Sequence, residues 1–192
     1  MGSIPLGEGG PLRVRAFFGL PLPEEHRQAL DRHLAGWAAA APQFRWTPAA
    51  NLHLTIRFLG QVDQPLAEGI AERLEDRGLK GFDLQLGKLG TFKRGRLARV
   101  VWLGQRSGGD DAMALAADVE EECVRAGLEP EARRFNAHLT LARARARDGA
   151  ALPQLSPPPE LAPWRAAELI LFRSHLGRAG SVYEPLRRIR LS

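Results

Sequence analysis

Residues 12–20, LRVRAFFGL, alternate apolar and basic positions and predict a strand. The next stretch, PLPEEHRQALDRHLAGWAAAA, spaces Leu22, His26, Leu30, Leu34 and Trp37 near helical intervals. Pro23 and two glutamates suit its start, and Pro42 marks its end. FRW at 44–46 and NLHLTIRFLG at 51–60 read as extended, the second closing at Gly60. DQPLAEGIAERLEDRG predicts a second helix, with Asp63 as N-cap, Pro65 in the first turn and Gly78 past the end. FDLQLGKLGTF, the basic turn KRGR and LARVVWLGQ predict neighbouring strands. A third helix follows in SGGDDAMALAADVEEECVRAGL, then a strand in FNAHLTLARA. A Pro-rich loop, DGAALPQLSPPPELAPW, leads to a closing hairpin of AAELILFRSHL, a turn at GRAG, and SVYEPLRRIRL. Each of the two His-x-Thr strands follows a strand and a helix, so the chain reads as two diverged copies of one α+β unit.

Side chains two residues apart on a strand face the same way. His53, Thr55 and Arg57 then share one side, and Leu52, Leu54, Ile56 and Phe58 point to the core. In the second copy His138, Thr140 and Ala142 share a face opposite Leu139 and Leu141, and strict alternation puts Arg143 on the side away from His138. If the units pack about a pseudo-twofold axis, two imidazoles and two hydroxyls line one cleft. That set suits phosphodiester hydrolysis, which removes a proton from attacking water and delivers another to the departing oxygen. With an unperturbed pKa of about 6.5, one histidine can act as acid and one as base near neutrality. Threonine hydroxyls can donate to phosphate oxygens, and arginine can stabilise the developing charge. A single His-x-Thr would be an ordinary half-buried pair; the duplication is what points to chemistry. His26, His33 and His175 read as packing or surface residues.

Composition narrows the setting. The chain has 192 residues, a net charge of +5 and a pI near 10.3, which suits an anionic partner such as RNA. A single cysteine, Cys123, excludes an internal disulfide framework and a Cys-rich zinc site, and it reads as a core residue. No membrane-length apolar run and no secretory signal are evident, so a cytoplasmic protein is expected. Residues 1–11 read as a flexible tail before a single bilobal domain over 12–192. Trp46 and Phe92 are candidates for stacking on a terminal base, with core or hairpin roles as the alternative. The KRGR turn reads as a solvated basic turn.

HLTIRFLG and HLTLAR resemble the paired motifs of the 2H phosphoesterase superfamily. More narrowly, the chain is similar to the RNA 2′,3′-cyclic phosphodiesterases, historically called 2′-5′ RNA ligases. RVRAFFGLPLPEE, FRWTPAANLHLTIRFLG, RLARVVWLG and LILFRSHLGRAGSVYEPLRRIRL extend the likeness from about residue 12 to the end. Ala137 is a departure, since the family often has proline there. The resemblance implies a bilobal α+β fold, with two antiparallel sheets around a central cleft and helices outside. It implies hydrolysis of RNA 2′,3′-cyclic phosphate ends to 2′-phosphomonoesters, without metal or other cofactor. His53 is then the proton donor to O3′ and His138 the proton acceptor. Thr55 and Thr140 hold phosphate oxygens. Arg143 matches the family's arginine as a phosphate ligand, and Arg57 is a weaker candidate. The expected partner is RNA with a cyclic phosphate end, or a cyclic nucleotide, bound by a monomer. The alternatives are 2′-5′ joining of RNA ends by the reverse reaction, and a nucleotide- or RNA-binding module without turnover.

Overall fold

The computed structural model describes residues 11–177 and 180–192. The expected tail lies almost wholly outside these, and so do two residues of the GRAG turn. The element order is β1 (Arg13–Pro21), α1 (Glu24–Ala40), β2 (Phe44–Trp46), one 3₁₀ turn (Ala49–Asn51), β3 (His53–Asp63), α2 (Gln64–Asp76), β4 (Phe82–Arg94) and β5 (Leu97–Ser107). It continues with α3 (Gly109–Arg125), β6 (His138–Ala144), β7 (Trp164–Ala166), β8 (Glu168–Gly177) and β9 (Gly180–Arg190).

The strands form an antiparallel path β7-β4-β5-β6-β3-β1-β8-β9, with β2 added on β6. The strand–helix–strand units β1-α1-β3 and β5-α3-β6 occupy equivalent positions about its centre. The two expected half-sheets are therefore joined edge to edge, and the two His-x-Thr strands are the neighbours at the join. That seam is short: Leu54 opposite Leu139 is its one ladder pair. Both leucines are fully buried, so the seam is sealed by apolar contact beneath the functional face.

One face of the sheet carries the core. Phe18, Leu20, Leu54, Leu103, Leu139 and Leu171 pack with Leu30 and Trp37 of α1, Ile70 and Leu74 of α2, and Leu115 and Val119 of α3 in one cluster. Cys123 lies inside this cluster, and burial pushes its thiol up to about 12, which leaves it inert as a nucleophile. Asp63 occupies the N-cap position of α2 as expected, but its side chain makes no capping bond; Arg13 lies 3.6 Å away. β3 also runs past Gly60, the residue predicted to end it. Gly60 adopts φ 73°, and Leu59 is left without a partner in β1, so a bulge carries the strand on to Asp63.

Candidate active site

The seam sets the geometry. With Leu54 across from Leu139, the antiparallel register puts His53 across from Thr140 and Thr55 across from His138, all on the face opposite the core. The four side chains form a parallelogram with histidines on one diagonal and threonines on the other. Direct cross-strand neighbours stand about 5 Å apart and diagonal ones about 7–8 Å, a gap that fits one phosphate between the two rings.

Both imidazoles are oriented by the same device. His53 Nδ1 lies 2.8 Å from the carbonyl oxygen of Asn51, and His138 Nδ1 lies 2.7 Å from that of Asn136. A carbonyl only accepts, so each Nδ1 carries hydrogen and each Nε2 is left free to take or give a proton. The Asn51 side chain donates to the Ser181 carbonyl at 2.6 Å, which ties the turn before β3 to β9. The sequence held a signal for this pair, since Asn stands two residues before each histidine. The interaction itself uses backbone carbonyls, which residue identity does not announce.

Each ring also has an aromatic neighbour set edge-on. Tyr183 stands 4.9 Å from His53 at 84°, and Phe92 stands 5.0 Å from His138 at 85°. Phe17 packs on His53 at 4.6 Å, and Trp102 lies 6.2 Å from His138. Phe92, a predicted stacking residue, therefore lies at the site. Tyr183 was not anticipated, because only the fold brings a β9 side chain to His53. Burial pushes the His53 pKa down to about 4; the Asn51 carbonyl acts upward and the Arg143 charge downward. Burial lowers the His138 pKa too, with the Asn136 carbonyl opposing and Arg143 reinforcing.

The arginines sort differently from strict alternation, because both strands bulge at the equivalent residue. In β3 the partner sequence steps from Phe18↔Arg57 to Gly19↔Thr55 and skips Ile56. In β6 it steps from Val101↔Ala142 to Trp102↔Thr140 and skips Leu141. Each extra residue flips the face of those after it. Arg143 is thereby turned onto the histidine face, close enough for its charge to act on both rings. Arg57 is turned onto the core side, where acidic side chains and carbonyls engage its guanidinium. It is ion-paired with Glu120, lies 3.7 Å from Glu131, and donates to the carbonyls of Phe58 and Glu129 at 2.6 and 2.7 Å. Phe58, expected in the core, instead pairs with Phe17 on the site face and is 48% exposed.

Trp46 takes the core alternative. It pairs with Ala142 on the core side, donates to the Ala41 carbonyl at 3.2 Å, and packs 5.8 Å from Trp37. The remaining histidines lie elsewhere. His26 is buried against Trp164, His33 bonds the Ala29 carbonyl, and His175 pairs with Glu184 at 2.7 Å. Among the described residues no group of three or more His, Cys, Asp or Glu is arranged to hold a metal ion. No helix among them is long and apolar enough to cross a membrane.

Two hollows flank the parallelogram. One of about 740 Å³ extends from His53 past Tyr183, Phe172 and Pro185 toward Arg188 and Arg190. The other, about 670 Å³, lies beside Thr55 and His138 and is lined by Phe58, Phe92, Met113 and Phe135.

Comparison with known proteins agrees with this geometry. The family described as LigT like Phosphoesterase matches twice in tandem, over residues 20–102 and 103–183, one match per half. An RNA 2′,3′-cyclic phosphodiesterase of Methanothermobacter thermautotrophicus is 32% identical over 187 residues, covering 94% of this chain and 100% of that protein. The Escherichia coli protein of the same name is 31% identical, over 91% of this chain and 94% of its own. Among solved structures, E. coli LigT complexed with 3′-AMP superposes with a TM-score of 0.79 at 29% identity, covering 94% of this chain and 99% of that one. A structure from Thermus thermophilus gives 0.75 at 26% identity, over 92% and 97%.

Proposed function

The chain belongs to the LigT-like phosphoesterase family, and on that premise we propose that it hydrolyses RNA 2′,3′-cyclic phosphate ends to 2′-phosphomonoesters by acid–base catalysis between His53 and His138. The observation that carries this reading is the diagonal pair of imidazoles, each with Nδ1 held by a carbonyl and Nε2 free.

Water approaches phosphorus in line with the P–O3′ bond. His138 Nε2 takes the water proton as the new P–O bond forms. The P–O3′ bond breaks, and His53 Nε2–H delivers its proton to O3′, leaving a 3′-hydroxyl and a 2′-phosphate. Thr55 and Thr140, on the other diagonal, donate to the non-bridging oxygens. Arg143 offsets the charge that accumulates on them. With both pKa values depressed, both rings are neutral in the free protein at neutral pH. The bound anion raises the donor's pKa, so that His53 takes up a proton from solvent before delivering it to O3′.

The test is incubation with a cyclic-phosphate oligonucleotide in chelator, followed by mapping of the phosphate on the product. A 2′-phosphate is expected. His53→Ala and His138→Ala should each lower kcat by about 10²–10⁴-fold with unchanged circular dichroism. Near-normal turnover in both variants would overturn the assignment.

A further inference from the structure

Beside the parallelogram, three arginines crowd together without a counter-charge. Arg45 of β2 is the direct cross-strand partner of Arg143, so both project from the histidine face. Arg99 is the extra residue of a bulge in β5, skipped between Phe92↔Val100 and Lys93↔Ala98 next to Val100, the β5 partner of Arg143, and its charge acts on Arg143. Among the described residues none of the three has a carboxylate within salt-bridge distance, whereas Arg57, Arg73, Arg77 and Arg187 all do. Partial desolvation lowers the Arg143 pKa, Tyr183 acts upward, and the charges of Arg45 and Arg99 lower it further. Like charges placed directly opposite on a sheet are destabilising, and among the described residues no carboxylate stands close enough to relieve them. Such an arrangement is favourable once an anion lies among them.

We propose that Arg45 and Arg99, flanking Arg143, form a second phosphate subsite that takes the phosphodiester one nucleotide upstream of the cyclic end. This rests on the cyclic phosphodiesterase reading and names its substrate class: a 5′-phosphorylated or polymeric RNA end rather than a bare cyclic nucleoside phosphate. The spacing fits. Arg143 lies three residues beyond Thr140, about 10 Å along an extended strand before the bulge shortens it. Its charge acts on both imidazoles, and Arg45 on β2 and Arg99 on β5 stand to either side of it. An RNA strand with its terminal phosphate in the parallelogram thus has its next phosphate within reach of these two guanidinium groups. Bidentate geometry suits arginine to this task.

The experiment compares three substrates: a nucleoside 2′,3′-cyclic phosphate, the same compound bearing a 5′-phosphate, and a short oligonucleotide with a cyclic end. The wild type should show at least tenfold higher kcat/KM on the second and third than on the first. The double variant Arg45→Ala with Arg99→Ala should lose that preference and keep its rate on the bare cyclic nucleoside phosphate within about twofold. The slope of log kcat/KM against log salt on the oligonucleotide should become shallower by about 1.4, at about 0.7 per lost single-strand phosphate contact. Arg45→Lys with Arg99→Lys should recover part of the preference. No wild-type preference, a preference that survives the alanines, or an equal fall on all three substrates overturns the subsite. Calorimetry with the 2′-phosphate-ended oligonucleotide separates the two proposals. If no substrate is turned over, the hydrolytic reading fails, and the subsite stands only if the double alanine variant binds that oligonucleotide at least tenfold more weakly.

Discussion

At the scale of single residues, the site is governed by what burial and one guanidinium do to two imidazoles. Both rings hold an Nδ1–H against a carbonyl and are pushed below the ordinary histidine range, His53 to about 4. The donor must be protonated, so rate falls as pH rises past its pKa. The acceptor must be neutral, so rate falls as pH drops past its own. The free enzyme's kcat/KM reports both values, as macroscopic constants of the pair. A bell with its maximum below pH 6.5 is therefore expected, and the kcat bell should lie at higher pH because bound phosphate favours the protonated donor. Arg143→Ala removes a charge that lowers both values and should move the kcat/KM bell upward as well as reduce it. A maximum at or above pH 7 in the wild type would contradict this electrostatic account. The shared face of His53, Thr55, His138 and Thr140 was legible from the i, i+2 rule because each motif precedes its strand's bulge.

At the scale of elements, the paired bulges decide which basic residue stands on the histidine face. Ile56 and Leu141 are ordinary apolar residues, and nothing in their identity marks them as the unpaired position. This is why alternation assigned Arg57 to the site face and Arg143 away from it, the reverse of the arrangement found. The same symmetry makes Phe58 the counterpart of Arg143, since each follows its bulge and pairs with the equivalent residue of the flanking strand, Phe17 or Val100. Two engineered chains test the device. Arg143→Ala combined with Ala142→Arg keeps an arginine in β6 but aims it at a fully buried position. It should lose activity as Arg143→Ala does and be destabilised by several kcal/mol, because a cation is buried unpaired. Arg143→Ala combined with Phe58→Arg instead puts the charge at an exposed point on the site face and should recover part of the lost kcat/KM. Rescue by the residue 142 arginine, read from steady-state kinetics and thermal melts, would refute the face assignment.

At the scale of the whole molecule, strand order is what converts two distant motifs into one site, and order is a non-local property. The α+β content and most strands were readable from periodicity. The β3–β6 seam was not, since it rests on the single leucine pair Leu54↔Leu139, indistinguishable in sequence from any other apolar pair. The return of β8 and β9 beside β1 is equally silent, although it delivers Tyr183 to His53. Closing the structure in this way buries His53, and that carries a stability consequence. In the unfolded chain His53 takes up its proton near pH 6.5, whereas in the folded protein it does so only near 4. Between those values the unfolded state binds more protons, so stability falls as pH drops from 6.5 toward 4 and is undiminished above 6.5. The folded pKa of about 4 against an ordinary 6.5 sets the full effect at about 3 kcal/mol. Carboxylates titrate over the same window, so the wild type must be measured against His53→Asn, which keeps a donor for the Asn51 carbonyl but does not titrate. Urea unfolding of both proteins at pH 7 and at pH 4.5 should show the wild type losing more stability on acidification than the variant, by up to that amount. Identical acid sensitivity in the two chains would mean that the ring is not held neutral by the fold.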